Sequence, residues 1–143
     1  MEIVELAPIY QSYVAQVIVN RWNETLEKAM ETTLRWLHNV EDSICFVGVK
    51  DGIPIATGVF ETHNSIDESI KSWNRLLWVE PEYRGSNLGS LLTEKRFEYA
   101  KSIGCSEIYI HTVSAKNYHM NSNVGWEVFK DVDGHTILKK ILS

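Results

Sequence analysis

Val79-Glu80-Pro81-Glu82-Tyr83-Arg84-Gly85-Ser86-Asn87-Leu88-Gly89-Ser90-Leu91-Leu92 is the stretch on which the fold turns. Upstream, Trp73 to Val79 reads as a buried strand that Pro81 stops. Downstream, Leu91, Leu92, Phe97, Tyr99, Ala100 and Ile103 recur at helical spacing until Gly104 ends the run. The stretch is therefore a strand-to-helix junction. A helix start exposes unpaired N–H groups and a partial positive charge, and Gly85 and Gly89 carry no side chain to keep a phosphate away. Spacing alone leaves two readings open, an ordinary glycine-containing turn and a pyrophosphate cradle. No Gly-Lys-Ser/Thr follows, so this is not a P-loop, and it is not Gly-x-Gly-x-x-Gly.

Working outward, residues 2–6 suit a short strand, and Pro8 suits a first helical turn. Ile9, Tyr10, Tyr13, Val14, Val17 and Ile18 then form one wide apolar helical face. Asn23 is expected to cap a second helix carrying Leu26, Met30, Leu34 and Leu37. The period changes to two from Ile44, and Lys50-Asp51-Gly52 predicts a hairpin turn leading into Ile53 to Phe60. A polar loop is expected from Glu61 to Ser72. Ile108 to Val113 reads as a strand, 115–123 as a short polar helix, and Trp126 to Val132 and Thr136 to Leu142 as strands about an Asp133-Gly134 turn. The expectation is a single α/β domain over 1–143, its central strand-helix-strand unit a right-handed crossover.

Composition narrows the function. The 143 residues hold 14 Lys and Arg against 19 Asp and Glu, a formal charge of −5, with the cations scattered, which argues against nucleic acid as partner. Hydrophobic residues make up 44% of the chain, enough for a core. Cys45 and Cys105 lie in apolar runs and read as free thiols. The acidic start Met1-Glu2-Ile3-Val4-Glu5 is unlike a signal peptide, and no stretch approaches the ~18 apolar residues of a membrane span. These features predict a soluble, cytoplasmic protein with no membrane partner. No His, Cys and carboxylate cluster has metal-ligand spacing, so no metal is expected.

The 79–92 stretch resembles the signature of the GCN5-related N-acetyltransferases (GNAT), Arg/Gln-x-x-Gly-x-Gly/Ala between the fourth strand and third helix. Arg84 takes the first position and Gly89 the last, while Asn87 stands where the family has its first glycine; Asn tolerates unusual backbone angles. The element order is similar along the whole chain, and Asn123-Val124-Gly125-Trp126 resembles the family's Lys-Leu-Gly-Phe. The resemblance implies a mixed, mostly antiparallel sheet of about six to seven strands, splayed between the fourth and fifth. It implies acetyl-CoA as cosubstrate and a small-molecule or peptide amine as acceptor. By position, Leu77, Trp78 and Val79 would contact the pantetheine arm through their backbone, and Arg84, Gly85, Ser86, Asn87, Leu88, Gly89 and Ser90 would surround the pyrophosphate. Ser114 and Asn117 would face the arm.

The proton route is less determined. Where many members place a Tyr that protonates the thiolate, four residues before the Gly, this chain has Asn121, which cannot release a proton at neutral pH. Tyr118, one helical turn earlier, is a second candidate. Trp73 to Val79 holds no carboxylate, so the base falls to His111, on one strand face with Tyr109 and Val113, with His63, His119, Glu61 and Glu80 as other relays. Loop residues His63, Asp67 and Glu68 would draw a cationic amine. Tyr10, Tyr13, Trp22 and Trp36 could line the acceptor pocket or pack in the core. Three readings follow: an acetyltransferase acting in a ternary complex, an acyl-CoA-binding sensor of the same fold, and an unrelated nucleotide binder. Oligomeric state stays open, a homodimer included.

Overall fold

The computed structural model describes residues 1–112 and 125–142. The expected helix at 115–123, with Ser114, Asn117, Tyr118, His119, Asn121, Asn123 and Val124, lies outside them. Seven strands form one mixed sheet in the order β1-β2-β3-β4-β5-β7-β6. They are β1 (Glu2–Glu5), β2 (Ile44–Lys50), β3 (Ile53–Glu61), β4 (Trp73–Val79), β5 (Glu107–Thr112), β6 (Glu127–Val132) and β7 (His135–Ile141). Helices α1 (Gln11–Trp22) and α2 (Leu26–Leu37) precede β2, and α3 (Leu88–Ser102) links β4 to β5. All strand pairs are antiparallel except β4–β5, as the crossover through α3 requires.

The β2–β3 hairpin turns at Asp51 and Gly52, both at positive φ, the geometry that Asp-Gly favours. Asn23 does not cap α2. It ends α1 in the left-handed conformation, and Thr25 caps α2 by accepting the Lys28 N–H at 3.2 Å. The expected α2 stripe is displaced too: Leu26 and Leu34 are exposed, while Ala29, Thr33 and Trp36 are buried. Helix α3 likewise turns inward the row Leu88, Leu92, Arg96 and Ala100, leaving Leu91 and Ile103 exposed. The side chains that reach the sheet stand four residues apart on α3 and four and three apart on α2.

The core has two main bodies, one on each face of the sheet. Val14, Ile18 and Trp36 of α1 and α2 pack on Cys45, Val47 and Val59, whereas Leu88, Leu92 and Ala100 of α3 pack on Ile44, Phe46 and Phe60. Cys45 is a buried free thiol whose pKa burial raises to about 12. Cys105, also free, is half-buried. Glu61 is not part of a solvated loop. It ends β3 at 3% exposure and accepts bonds from Trp36 Nε1 at 2.8 Å and from Arg35. That pairing ties α2 to the sheet and removes Glu61 as a relay.

Candidate active site

The site begins with a break in sheet pairing. Strand β4 pairs with β3 from Trp73 to Val79, yet with β5 it shares one register pair, Trp73↔Tyr109. That end is fastened by the Tyr109 N–H to the Ser72 carbonyl at 2.9 Å and by Ser72 Oγ to the Glu107 carbonyl at 2.9 Å. An apolar plug of Ile70, Trp73, Tyr109 and Ile137 fills it. Beyond the plug the two strands diverge, so among the described residues the β4 edge facing β5 stays unpaired, a row of backbone groups open to an added strand.

A bulge helps to shape that edge. Register shifts between Gly58 and Val59 of β3, opposite the extra residue Leu76, whose φ of 25° is outside the usual strand range. Arg96 of α3 serves the bulge: its Nη1 donates to the carbonyls of Arg75 at 3.0 Å and Val59 at 3.4 Å. No carboxylate bonds this buried guanidinium among the described residues, and desolvation lowers its pKa to about 10. A cation with a rigid fork of donors thus stabilises carbonyls that the ladder has released.

A cleft of about 790 Å³ runs through the opening. Register assigns its residues to two mouths. Leu77 stands opposite Gly58, where a Cβ would meet Leu92 and Arg96 of α3, so Leu77 and Asn74 belong to the α3 mouth. Arg75 stands opposite Val59 and lies 4.5 Å over the Trp22 ring, at the α1 and α2 mouth. His111 pairs with Ile137 and shares that second face.

At the α3 mouth a second hollow of about 470 Å³ sits over the helix start, with Ser90 bordering both. Asn87 occupies the N-cap in the left-handed conformation, φ 69°, so Asn here does what a glycine would do for the backbone. The amides of Gly85 through Ser90 donate to no other described residue, leaving a run of N–H groups around the hollow. Gly89 has no positive φ, and a Cβ there would come no nearer than 3.9 Å to Val79 Cγ2. The chain's own packing does not require glycine at 89; a ligand seated against the backbone would. Arg84 bonds the Val79 carbonyl through Nε at 2.9 Å and stacks on Trp78, fixing the loop to the end of β4.

The α1 and α2 mouth holds the titratable candidates. His111 Nδ1 lies 3.2 Å from His135 Nδ1, and burial, Arg75 and His135 lower the His111 pKa to about 4. At neutral pH the ring is uncharged, and when its Nδ1–H donates to His135, Nε2 carries the lone pair. Glu80 is engaged elsewhere, accepting from Tyr13 Oη at 3.2 Å and from Trp78 Nε1. Of the four helix aromatics considered, Trp22 lines the cleft and Trp36 is core. Asp67, expected to attract a cation, is bound to Lys130 at 2.5 Å, which holds its pKa at about 2. His63 and Glu68, 3.9 Å apart, do not line the cleft.

Sequence reading missed Asn74 and Arg75. Both sit in the strand predicted as uniformly buried, and only the bulge and the missing β5 partner turn them toward a cavity. Asn74 is 8% exposed, lines the cleft, and its Oδ1 has no hydrogen-bond partner among the described residues. No group of three His, Cys, Asp or Glu residues suited to a metal occurs among the described residues, and no described helix is long and apolar enough to cross a membrane.

A sheet split between parallel strands, with an N–H-lined helix start at its mouth, is the arrangement that the resemblance of residues 79–92 implies. The chain belongs to the GNAT acetyltransferase family, whose model matches residues 7–122. Among solved structures, an aminoglycoside 6'-N-acetyltransferase complexed with coenzyme A is similar with a TM-score of 0.78 at 15% identity, over 100% of this chain and 98% of that one. The PaiA N-acetyltransferase of Thermoplasma acidophilum, in complex with coenzyme A, matches at 0.76 and 16% identity over 98% of each chain. A ribosomal-protein-alanine N-acetyltransferase from Brucella melitensis matches at 0.76 and 16%, over 99% of this chain and 100% of that one. Likeness at these identities is likeness of fold. No curated protein matches significantly.

Proposed function

We propose that the protein transfers an acetyl group from acetyl-CoA to the amine of a small molecule or peptide, in one domain and by direct attack in a ternary complex. The observation that carries this reading is the N–H-lined hollow at Gly85 to Ser90 opening into the unpaired edge of β4. The hollow suits a pyrophosphate, because a helix start and convergent amides favour negative charge. The edge suits the pantetheine arm, whose amides pair as a strand would with the backbone of Leu77, Trp78 and Val79. Two neighbours of like fold hold coenzyme A, which supports the same ligand here.

The thioester then reaches the opening between β4 and β5, and the amine approaches from the α1 and α2 mouth. Its nitrogen forms a bond to the acyl carbon as the C–S bond breaks; one amine proton leaves and the thiolate takes up a proton. Much of the rate comes from holding the two reactants together. A free β4 amide pointing at the thioester oxygen would stabilise the charge that develops there. His111, neutral and bearing a lone pair, would relay the amine proton; Tyr118 and Asn121 stay candidates for the thiolate side. Ser114 and Asn117 would extend the arm contacts.

Calorimetric titration with acetyl-CoA, followed by thiol release with an amine panel, tests the reading. Binding with release above buffer is expected. No heat at millimolar ligand would overturn it, and binding without turnover on any amine would favour the sensor of the same fold.

A further inference from the structure

The α1 and α2 mouth of the cleft has a charge that the proposed reaction does not explain. Arg75 projects from β4 on this face, its guanidinium 4.5 Å over the Trp22 ring and on the cleft wall. It makes no hydrogen bond or ion pair with any described residue, and desolvation lowers its pKa. A desolvated arginine held by an aromatic face, with its donor fork unspent on any described residue, is a half-built site for a planar anion. Arg21 stands at the same rim, 5.2 Å over the Trp78 ring.

Glu61 attracts Arg75 through space, but the hydrogen-bonding capacity of the nearby carboxylates is engaged elsewhere. Glu61 is spent on Arg35 and Trp36, Glu80 on Tyr13 and Trp78, and Asp67 on Lys130. Glu24, which lines the cleft, accepts its neighbour Thr25's amide at 3.2 Å. His111 adds no positive charge at neutral pH, since Arg75 itself helps to hold it uncharged. The mouth therefore presents two arginines against one carboxylate, inside a chain whose net charge is −5. A polycationic acceptor would meet repulsion there.

We propose that the acceptor carries a carboxylate close to its amine, and that Arg75, with Arg21 at the rim, binds that carboxylate while the amine reaches the thioester. The Trp22 ring offers an apolar wall for the rest of the molecule. This inference rests on the acetyltransferase reading and narrows its acceptor to amino-acid-like chemistry, supplied by a free amino acid or an acidic peptide.

The test uses the full chain with acetyl-CoA and matched acceptors: tyrosine with tyramine, tryptophan with tryptamine, the peptide Ser-Asp-Ala with Ser-Asn-Ala, and kanamycin as a polycation. The carboxylated member of at least one pair should have kcat/KM about tenfold or more above its partner, the scale of one charged contact. Preference within the amino-acid pairs or the peptide pair identifies the source. Arg75→Gln should erase most of that preference and Arg75→Lys keep part of it, with the calorimetric Kd for CoA within about twofold in both, which also reports an intact fold. Absence of a carboxylate preference in all three pairs overturns the proposal, as does kanamycin used as well as the best carboxylated acceptor or an unchanged preference in Arg75→Gln. So does binding of CoA without either turnover of a carboxylated acceptor or a Trp fluorescence response of the CoA-loaded protein to N-acetyltyrosine. Failure to bind CoA at all instead breaks the acetyltransferase reading.

Discussion

The two edges of β4 belong to one strand and have opposite fates. Toward β3 the ladder runs from Trp73 to Val79; toward β5 it stops after Trp73↔Tyr109. The strand's apolar content cannot explain this, because both edges share the same side chains. What differs is the partner. β3 is a hairpin neighbour held by the continuous cores on both faces, whereas β5 arrives through α3 and then pairs fully with β7 from Glu107 to Thr112. The sheet is thus sewn tightly on both sides of one open seam, and the seam can stay open because its surroundings are closed.

The largest effect should come from filling the open side. Gly89→Leu adds a side chain where an added Cβ meets only Val79 and Leu77 at 3.9 and 4.0 Å, so the fold should survive. CoA binding should fall by about 100-fold or more, equivalent to about 2.7 kcal/mol. Calorimetry beside a thermal melt checks this. Unchanged affinity in a folded variant would remove the cradle from the site.

Next in size is an attack on the closed side. Arg96→Met keeps the buried stem of Arg96 but deprives the carbonyls of Arg75 and Val59 of their donor at the bulge. Leaving buried acceptors unpaired costs about 1–3 kcal/mol each, so urea unfolding should show a loss of about 2–4 kcal/mol, reduced by the desolvation that the methionine avoids. A smaller but parallel experiment is Glu61→Gln, which weakens the α2 anchor through Arg35 by about 1–3 kcal/mol and lies outside the cleft lining. Its CoA affinity should stay within about twofold, separating fold from site. Comparable loss of affinity would mean that the two edges are coupled.

The seam also shows which parts of the molecule can be read from residues. The strand-to-helix junction is legible because Pro81, Arg84, Gly85 and Gly89 act through backbone geometry, which local sequence controls. The Asp51-Gly52 hairpin is legible for the same reason. Register and face are not local. Glu61 looks like the start of a polar loop until Trp36 and Arg35, 25 and 26 residues away, claim its carboxylate. Leu77, read as buried, is 42% exposed because the strand expected beside it has turned aside. Asn74 and Arg75 carry no motif; their meaning comes from one inserted residue, Leu76, and a missing neighbour. The family resemblance supplied the splay, and tertiary pairing supplied the side chains that face it.

The smallest predicted effect concerns the imidazole at the seam. His111 has a pKa of about 4 in the folded protein, lowered first by burial and then by Arg75 and His135, against about 6.5 when the chain is unfolded. Between these values the unfolded state binds the proton and the folded state does not, so unfolding is favoured as the medium acidifies. Stability associated with His111 is therefore complete above pH ~6.5 and declines as the pH falls toward about 4, with no further loss from this group below that. Because the ring is only part-buried, solvent screening keeps the contribution small. His111→Gln should flatten the denaturation midpoint between pH ~6.5 and 4, while leaving the separate loss from Asp67, whose folded pKa is about 2, to appear at lower pH. A slope in that window that survives in His111→Gln would assign the responsible proton to another group, its neighbour His135 included.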